Sequence, residues 1–247
     1  IRDWREVLSA NPEWAGGELA IDGIDISVLP DETAILASLR AGQIDFALLN
    51  DPLIATLVPN EPNLELNRVG VLAYNVLQLN PSRAPMDNLK VRQAMSCAID
   101  RQEIIDAALA GEGTVTGPLT MPAFAQDPAD LFCYEQDLDM ARQLMEEAGV
   151  DGFTATVIAA TGEPPVAASE AQVLQSQLAE IGINLEIEMM ELNVYVDTWL
   201  SGEFDMAVAQ NGGRPDPYPM YNRYFTAEGN LVHVSNFTDE TLDSLMK

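Results

Sequence analysis

The stretch LAYNVLQLNPSRAPMDNLKVRQAMSCAIDRQEIIDAAL, residues Leu72–Leu109, contains the patterns that decide the fold. Its first nine residues alternate in the way that predicts a β-strand, with successive side chains on opposite faces. Pro81 and Pro85 end that strand, because proline cannot donate a hydrogen bond to a strand ladder. From Val91 to Ile99, apolar residues recur at i, i+3, i+4, i+7 and i+8, which is one face of a helix.

A second helix follows directly in the same stretch. Asp100 can cap its start, with Glu103 at the capping-box distance, and Gly111 is a suitable stop. The order of these residues resembles the extracellular solute-binding proteins of family 5, the peptide, nickel and oligosaccharide receptors of ABC importers. The residues that carry the resemblance are Asn80, Pro85, Asp87, Val91, Arg92, Gln93, Ala94, Ala98, Ile99, Asp100, Arg101 and Ile105.

The resemblance extends along most of the chain and implies a fold. Further matches are Asn11-Pro12 with Trp14, the run from Asp137 to Gly149, Leu178 to Ile187, and Gly202 to Met206. The implied fold is α/β of the class II periplasmic-binding-protein type, with two lobes, each a mixed sheet flanked by helices, only partly represented. We expect residues 1–71 to be part of the first lobe and residues 72–247 the second. A hinge strand would lie near residues 72–80, and the C-terminal return to the first lobe would be missing.

Other elements are predicted by periodicity and turn residues. Strands are expected at Glu18–Leu29, Ile44–Leu49, Leu64–Val69, Phe153–Ala160, Ile183–Met189 and Asp205–Gln210. Helices are expected after Pro30, Asp51 and Asp137, around Val194–Leu200 and near the C-terminal residues. Ser169 and Gln172 suggest a capping box for one more helix. Strands that alternate with helices favour parallel pairing.

Composition excludes several classes of function. The 247 residues are 47% apolar, which predicts a folded protein with a real core. No apolar run reaches the roughly 20 residues of a membrane span, so no membrane insertion by this chain is expected. The 39 acidic residues outnumber the 12 basic ones, a net charge of −27 that would repel nucleic acid. The excess predicts a solvated acidic surface, with a preference for cationic ligands as the alternative.

Two cysteines, Cys97 and Cys133, are too few for a disulfide framework. Cys97 lies beside the apolar face of the predicted helix, where a buried free thiol is the commoner state. We therefore expect free thiols, with a Cys97–Cys133 disulfide as the less favoured alternative in an exported protein.

Catalytic chemistry has little support in the sequence. His233 is the only histidine, so neither a serine protease triad nor a histidine-based zinc site is indicated. The phosphate-binding and dinucleotide-binding glycine motifs are absent. We expect no catalytic residue, no metal and no cofactor, and not an enzyme.

The best candidate for a ligand site is the loop that follows the strand predicted to end at Gln210. In open α/β sheets, ligands bind beyond the carboxyl ends of strands, and glycines let the backbone approach a ligand closely. The loop resembles the cleft-lining segment of the family, with Arg214 near an expected acid. The candidate ligand-binding residues are Asn211, Gly212, Gly213, Arg214, Asp216 and Tyr218. A tight Gly/Pro turn without a ligand is the structural alternative, and the aromatic run that begins at Tyr218 predicts a helix face.

These observations lead to a functional hypothesis. The resemblance implies extracytoplasmic binding of a small solute, most readily a peptide or peptide-like compound, and its delivery to ABC permease subunits. It implies a monomer, located in the periplasm or outside the cell, with a lipid anchor on a missing N-terminal segment as one expectation. The alternatives are a ligand-sensing module of a regulatory protein and, less favoured, an acidic hydrolase.

Overall fold

A computed structural model describes residues 5–116, 132–216 and 218–246. The chain divides into two compact units. The first consists of Ile1–Leu49 with Ile54–Leu66, and the second of Asn50–Leu53 with Asn67–Lys247. Among the described residues, no helix combines the length and the apolarity that crossing a membrane requires.

The first unit has a two-stranded antiparallel sheet formed by β1, Arg5–Ser9, and β2, Gly23–Ser27. All residues of both strands are exposed to solvent. Helix α1, Glu32–Arg40, begins where the Asp31 side chain accepts a hydrogen bond from the Ala34 amide. A single 3₁₀ turn, Val58–Asn60, follows later in this unit.

Several strand predictions for the first part of the chain are wrong. The strand predicted over Glu18–Leu29 is confined to β2, and β1 was not predicted. No strand forms over Ile44–Leu49, where Phe46 and Leu48 are 79% and 73% exposed, or over Leu64–Val69. The short helix α2, Pro52–Ala55, does form after Asp51, as predicted.

The second unit is organised around a four-stranded mixed sheet. Its strands are β3, Tyr74–Leu79; β4, Phe153–Ala160; β5, Ile183–Met190; and β6, Met206–Asn211. Their order is β3-β6-β4-β5, with β4 parallel to both of its neighbours and β3 antiparallel to β6. The predicted parallel pairing is confirmed. Since Tyr74 pairs with Asn211, the start of β3 lies beside the carboxyl end of β6.

Helices cover both faces of this sheet. In chain order they are α3, Leu89–Ala98; α4, Arg101–Ala108; α5, Leu138–Ala148; α6, Ala167–Ala179; α7, Leu192–Ser201; α8, Tyr218–Phe225; α9, Val232–Ser235; and α10, Glu240–Leu245. The larger core contains Val157 and Val208 together with buried residues of α3, α5 and α6. The smaller core on the other side contains Ile158 and Ala207 with buried residues of α7 and α9.

Helix caps agree with the sequence in part. Asp100 caps α4 by accepting from the Gln102 and Glu103 amides, and Asp137 caps α5. Glu103 does not complete the predicted capping box, because its carboxylate accepts instead from Gln177 Nε2 at 2.6 Å. The capping box predicted at Ser169 is wrong, since α6 has already begun at Ala167.

Cys97 and Cys133 form a disulfide, so the expectation of free thiols is wrong. The bond joins α3 to the segment that leads into α5. The same segment is held by the amide of Asp137, which donates to the Cys97 carbonyl at 2.8 Å, and by Arg101, which donates to the carbonyls of Cys133 and Tyr134. The sequence did not indicate that Cys97 and Cys133 are close in space, because they are 36 residues apart in the chain.

Candidate functional site

The candidate loop leaves the carboxyl end of β6 and enters α8. Gly213 packs against the chain just before β3: a Cβ added at Gly213 would lie 1.9 Å from the carbonyl oxygen of Leu72. A Cβ added at Gly212 would meet nothing within 4 Å. Glycine is therefore required by close backbone approach at position 213 and not at position 212.

A cavity of about 220 Å³ lies where the loop meets α8. It is lined by Asn211, Gly212, Arg214, Pro219, Met220, Arg223 and Tyr224. Three of the six candidate residues, Asn211, Gly212 and Arg214, are thus brought together around one space. Its volume suits a small group of a solute and is below the range usual for a whole drug-sized ligand.

The other three candidate residues do not line this cavity. Gly213 supports the loop through its approach to Leu72. Asp216 accepts a hydrogen bond from the amide of Tyr218 at 3.0 Å, which places its carboxylate in the turn that starts α8. The Tyr218 side chain is 49% exposed, and its hydroxyl contacts Asn222.

Sequence reasoning missed the contribution of α8 to the cavity. Pro219, Met220, Arg223 and Tyr224 stand at i, i+1, i+4 and i+5, so they share one face of the helix. The aromatic run that begins at Tyr218 predicts a helix face, and Tyr224 of that run does contact the smaller core, but it lines the cavity as well. The sequence pattern that could have identified these α8 residues is the helical spacing of polar and apolar residues directly after a candidate loop.

Aromatic hydroxyls fix the walls of the cavity. The Tyr224 hydroxyl donates to Asn211 Oδ1 at 2.7 Å, which ties α8 to the end of β6. The Tyr74 hydroxyl donates to the sulfur of Met220 at 3.0 Å. Burial raises the pKa of Tyr74 to about 12 and also raises the pKa of Tyr224, so both remain protonated donors at neutral pH.

The charge at the cavity is positive. Arg214 and Arg223 have no carboxylate partner among the residues that the structure describes, and both are exposed. The guanidinium carbon of Arg223 lies 6.0 Å from the centroid of the Tyr224 ring, within cation–π range. Among the residues that the structure describes, no aspartate or glutamate lines the cavity.

Behind the loop lies a polar network that includes a buried carboxyl group. Gln210 Nε2 donates to Asn75 Oδ1 at 3.0 Å, and Asn75 Nδ2 donates to the carboxylate of Glu170. Glu170 is only 3% exposed, and burial raises its pKa to about 7. Since Gln210 directly precedes Asn211, this network supports the base of the candidate loop.

A second cavity, of about 150 Å³, lies between the sheet and α7. Its lining includes Arg83 and Asp205, which form a salt bridge at 3.1 Å. Asp205 also accepts from the amide of Thr156 at 3.1 Å. Arg83 and Asp205 are thus already engaged with each other, and the larger of these two cavities is the better candidate for a ligand site. Within the described ranges, no group of three or more histidine, cysteine, aspartate or glutamate side chains is placed to hold a metal ion.

Comparison with known proteins identifies the family. The family model described as bacterial extracellular solute-binding proteins, family 5 Middle, matches residues 2–231. The chain belongs to family 5. The resemblance carried by the stretch Leu72–Leu109 is therefore confirmed.

Two curated relatives are similar to this chain in sequence, and a solved structure is similar to it in fold. A probable di/tripeptide-binding protein 5 of Pseudomonas aeruginosa is 27% identical over 244 residues, covering 96% of this chain and 46% of the relative. The glutathione-binding protein GsiB of Salmonella paratyphi A is 31% identical over 192 residues, covering 76% of this chain and 37% of the relative. The crystal structure of a putative peptide binding protein AppA from Clostridium difficile superposes with a TM-score of 0.83 at 25% identity, over 98% of this chain and 50% of that one.

The expected class II periplasmic-binding-protein-like α/β fold is thus confirmed, with the chain spanning about half the length of the relatives that it matches.

Proposed function

We propose that this chain is the part of an extracytoplasmic solute-binding protein that holds a peptide or peptide-like solute for delivery to an ABC permease. The observation that carries the proposal is the cavity at the carboxyl end of β6, walled by the loop and α8, in a chain of family 5. The peptide class is supported by relatives named for di/tripeptides and glutathione.

The ligand site would comprise the predicted loop residues and the α8 residues that share the cavity. Asn211, Gly212 and Arg214 would contact the solute, and Gly213, Asp216 and Tyr218 would set the path of the loop into α8. Residues 1–71 and 72–247 would belong to two lobes that close over the solute about a hinge near residues 72–80. The protein would act as a monomer in the periplasm or outside the cell, with a lipid anchor in a segment outside this chain, and would bind its solute without turnover.

The test uses the full-length protein, purified from its own source. Native mass spectrometry of the purified protein should detect a retained solute of peptide mass, which would also name the solute. Absence of any retained or added peptide ligand would contradict the proposal.

Matched glycine variants examine the role of the loop in the same experiment. Gly213→Ala forces a Cβ into the Leu72 carbonyl, so the loop must shift and solute affinity should fall about tenfold or more, the cost of one lost polar contact. Gly70→Ala adds the same methyl group in open space, at a glycine that does not line the cavity, and should retain affinity. Equal thermal midpoints for the two variants would show that the loss is local. Equal solute affinities would remove the loop from the site.

A further inference from the structure

We infer that the cavity is an anion subsite in which Arg214 and Arg223 together bind a carboxylate group of the solute. The inference rests on the proposed function, because it assigns a chemical group to the same cavity. It narrows the solute to compounds that present a carboxylate there, such as the C-terminal end of a peptide.

The first argument is the pairing of the basic side chains. Apart from Arg214 and Arg223, every arginine or lysine in the described part of the chain is held by a carboxylate or by backbone carbonyl oxygens. In a chain with 39 acidic and 12 basic residues, carboxylate partners are abundant. Among the described basic residues, the two that are held by neither a carboxylate nor a carbonyl oxygen are the two that line a single cavity.

The second argument is that the guanidinium of Arg223 lies near an aromatic ring of the cavity wall. This guanidinium lies within cation–π range of the Tyr224 ring, and the Tyr224 hydroxyl is in turn bound to Asn211. The planar set of donors on a guanidinium matches the two oxygens of a carboxylate. Arg214 lines the same cavity from the loop.

The third argument concerns the sign of the solute charge. The net charge of −27 attracts cations to the molecule as a whole, so selection of an anion needs a local positive site. The cavity provides that site, because its lining, as far as the structure describes the chain, contains two arginines and no acidic residue. Asp216, the carboxylate nearest in sequence, accepts from the Tyr218 amide in the turn outside the cavity. An ammonium group in the cavity would meet two like charges.

The decisive experiment compares three forms of one pool of di- to pentapeptides, with free ends, with the C-terminus amidated and with the N-terminus acetylated. Binding to the intact protein is measured by competition in native mass spectrometry. Amidation should weaken binding about tenfold or more, because it removes the charge-assisted hydrogen bonds, whereas acetylation should have little effect. Binding that acetylation abolishes and amidation leaves unchanged would overturn the anion subsite and leave peptide binding intact.

Glutamine variants test whether Arg214 and Arg223 cause the difference in binding between free and amidated peptides. Arg214→Gln and Arg223→Gln should each reduce the difference between free and amidated peptides. Arg142→Gln removes an arginine of α5 that does not line the cavity and should preserve the difference. Unchanged discrimination in both cavity variants would also overturn the inference.

A second readout does not depend on peptide binding and separates the two proposals. Phenylglyoxal modifies accessible guanidinium groups, and the modified sites can be mapped by peptide mass spectrometry. N-acetylglycine should protect Arg214 and Arg223, whereas N-acetylglycinamide, which lacks the charge, should not. If no peptide form binds but this protection is seen, the peptide proposal fails and the anion subsite stands. If the carboxylate gives no more protection than the amide, the anion subsite fails.

Discussion

Glu170 is the buried carboxyl group of the second unit, in the first turn of α6. Burial away from water raises its pKa to about 7, and the hydrogen bond from Asn75 opposes that shift. Between the ordinary glutamate pKa and pH 7, the folded protein therefore binds more protons at this site than the unfolded chain does. The linkage relation then requires the contribution of Glu170 to stability to be present at acidic pH and to be lost as pH rises through 7.

Glu170→Gln tests this linkage. Glutamine cannot ionise and keeps an oxygen that can accept from Asn75. We expect the variant to match the original protein near pH 4.5 and to be more stable above pH 7 by roughly 3 kcal/mol, the free energy of such a pKa shift. Denaturant unfolding across this pH range measures the difference. Glu163→Gln removes an exposed glutamate shortly before the same helix and serves as the control for charge. A difference in stability between Glu170→Gln and the original protein that does not change with pH would contradict the raised pKa of Glu170.

At the same scale, the candidate site was only partly predictable. Asn211, Gly212 and Arg214 could be placed because a loop at a strand end is a local pattern in the sequence. Arg223 and Tyr224 could not, since their part in the cavity depends on how α8 folds back on the loop. The Asp216 carboxylate, available in the sequence for a ligand, accepts instead from a neighbouring amide.

The helices and strands of the second unit were predicted well because each has a local sequence pattern that indicates it. Strand β4 was predicted with its observed ends, and the Asp137 cap and the terminating Gly149 of α5 are both present. The strand predicted at Ile44–Leu49 failed for a different reason. A short apolar run indicates that a segment can be a buried strand, but a strand also requires a partner for its ladder, and none pairs with this segment among the described residues. Whether such a partner strand is available depends on residues that are distant in sequence.

The disulfide between α3 and the segment before α5 gives a prediction for these elements. Closing a loop of 36 residues restricts the unfolded chain, which corresponds to roughly 3–4 kcal/mol of stability. Cys97→Ala with Cys133→Ala should lower the free energy of unfolding by about that amount. Unfolding measured with and without dithiothreitol provides the control: the original protein should lose stability in the reductant, and the double variant should not respond. A reductant effect of the same size on both proteins would contradict the role of the disulfide.

The two units of the molecule differ in how much of their sheets is buried. In the second unit, Val157, Met206 and Ala207 are completely buried, with helices on both faces of the sheet. In the first unit, β1 and β2 are exposed along their whole length, and Ile24 and Ile26 are 49% and 38% exposed. A two-stranded sheet with little apolar burial is marginally stable in water, so the units should differ in local stability.

Hydrogen exchange on the 247-residue chain measures that difference directly. Backbone amides open with free energies that range from almost zero at weakly held segments to the global value in a packed core. We therefore expect slow exchange within Phe153–Gln210 and faster exchange within Glu18–Leu49, most clearly when β4 is compared with β2. Amide exchange in both strands is measured in one sample, so the solvent conditions are identical. Equal protection of the two strands would mean that the chain unfolds as a single cooperative domain, and the difference in burial between the units would then have no consequence for stability.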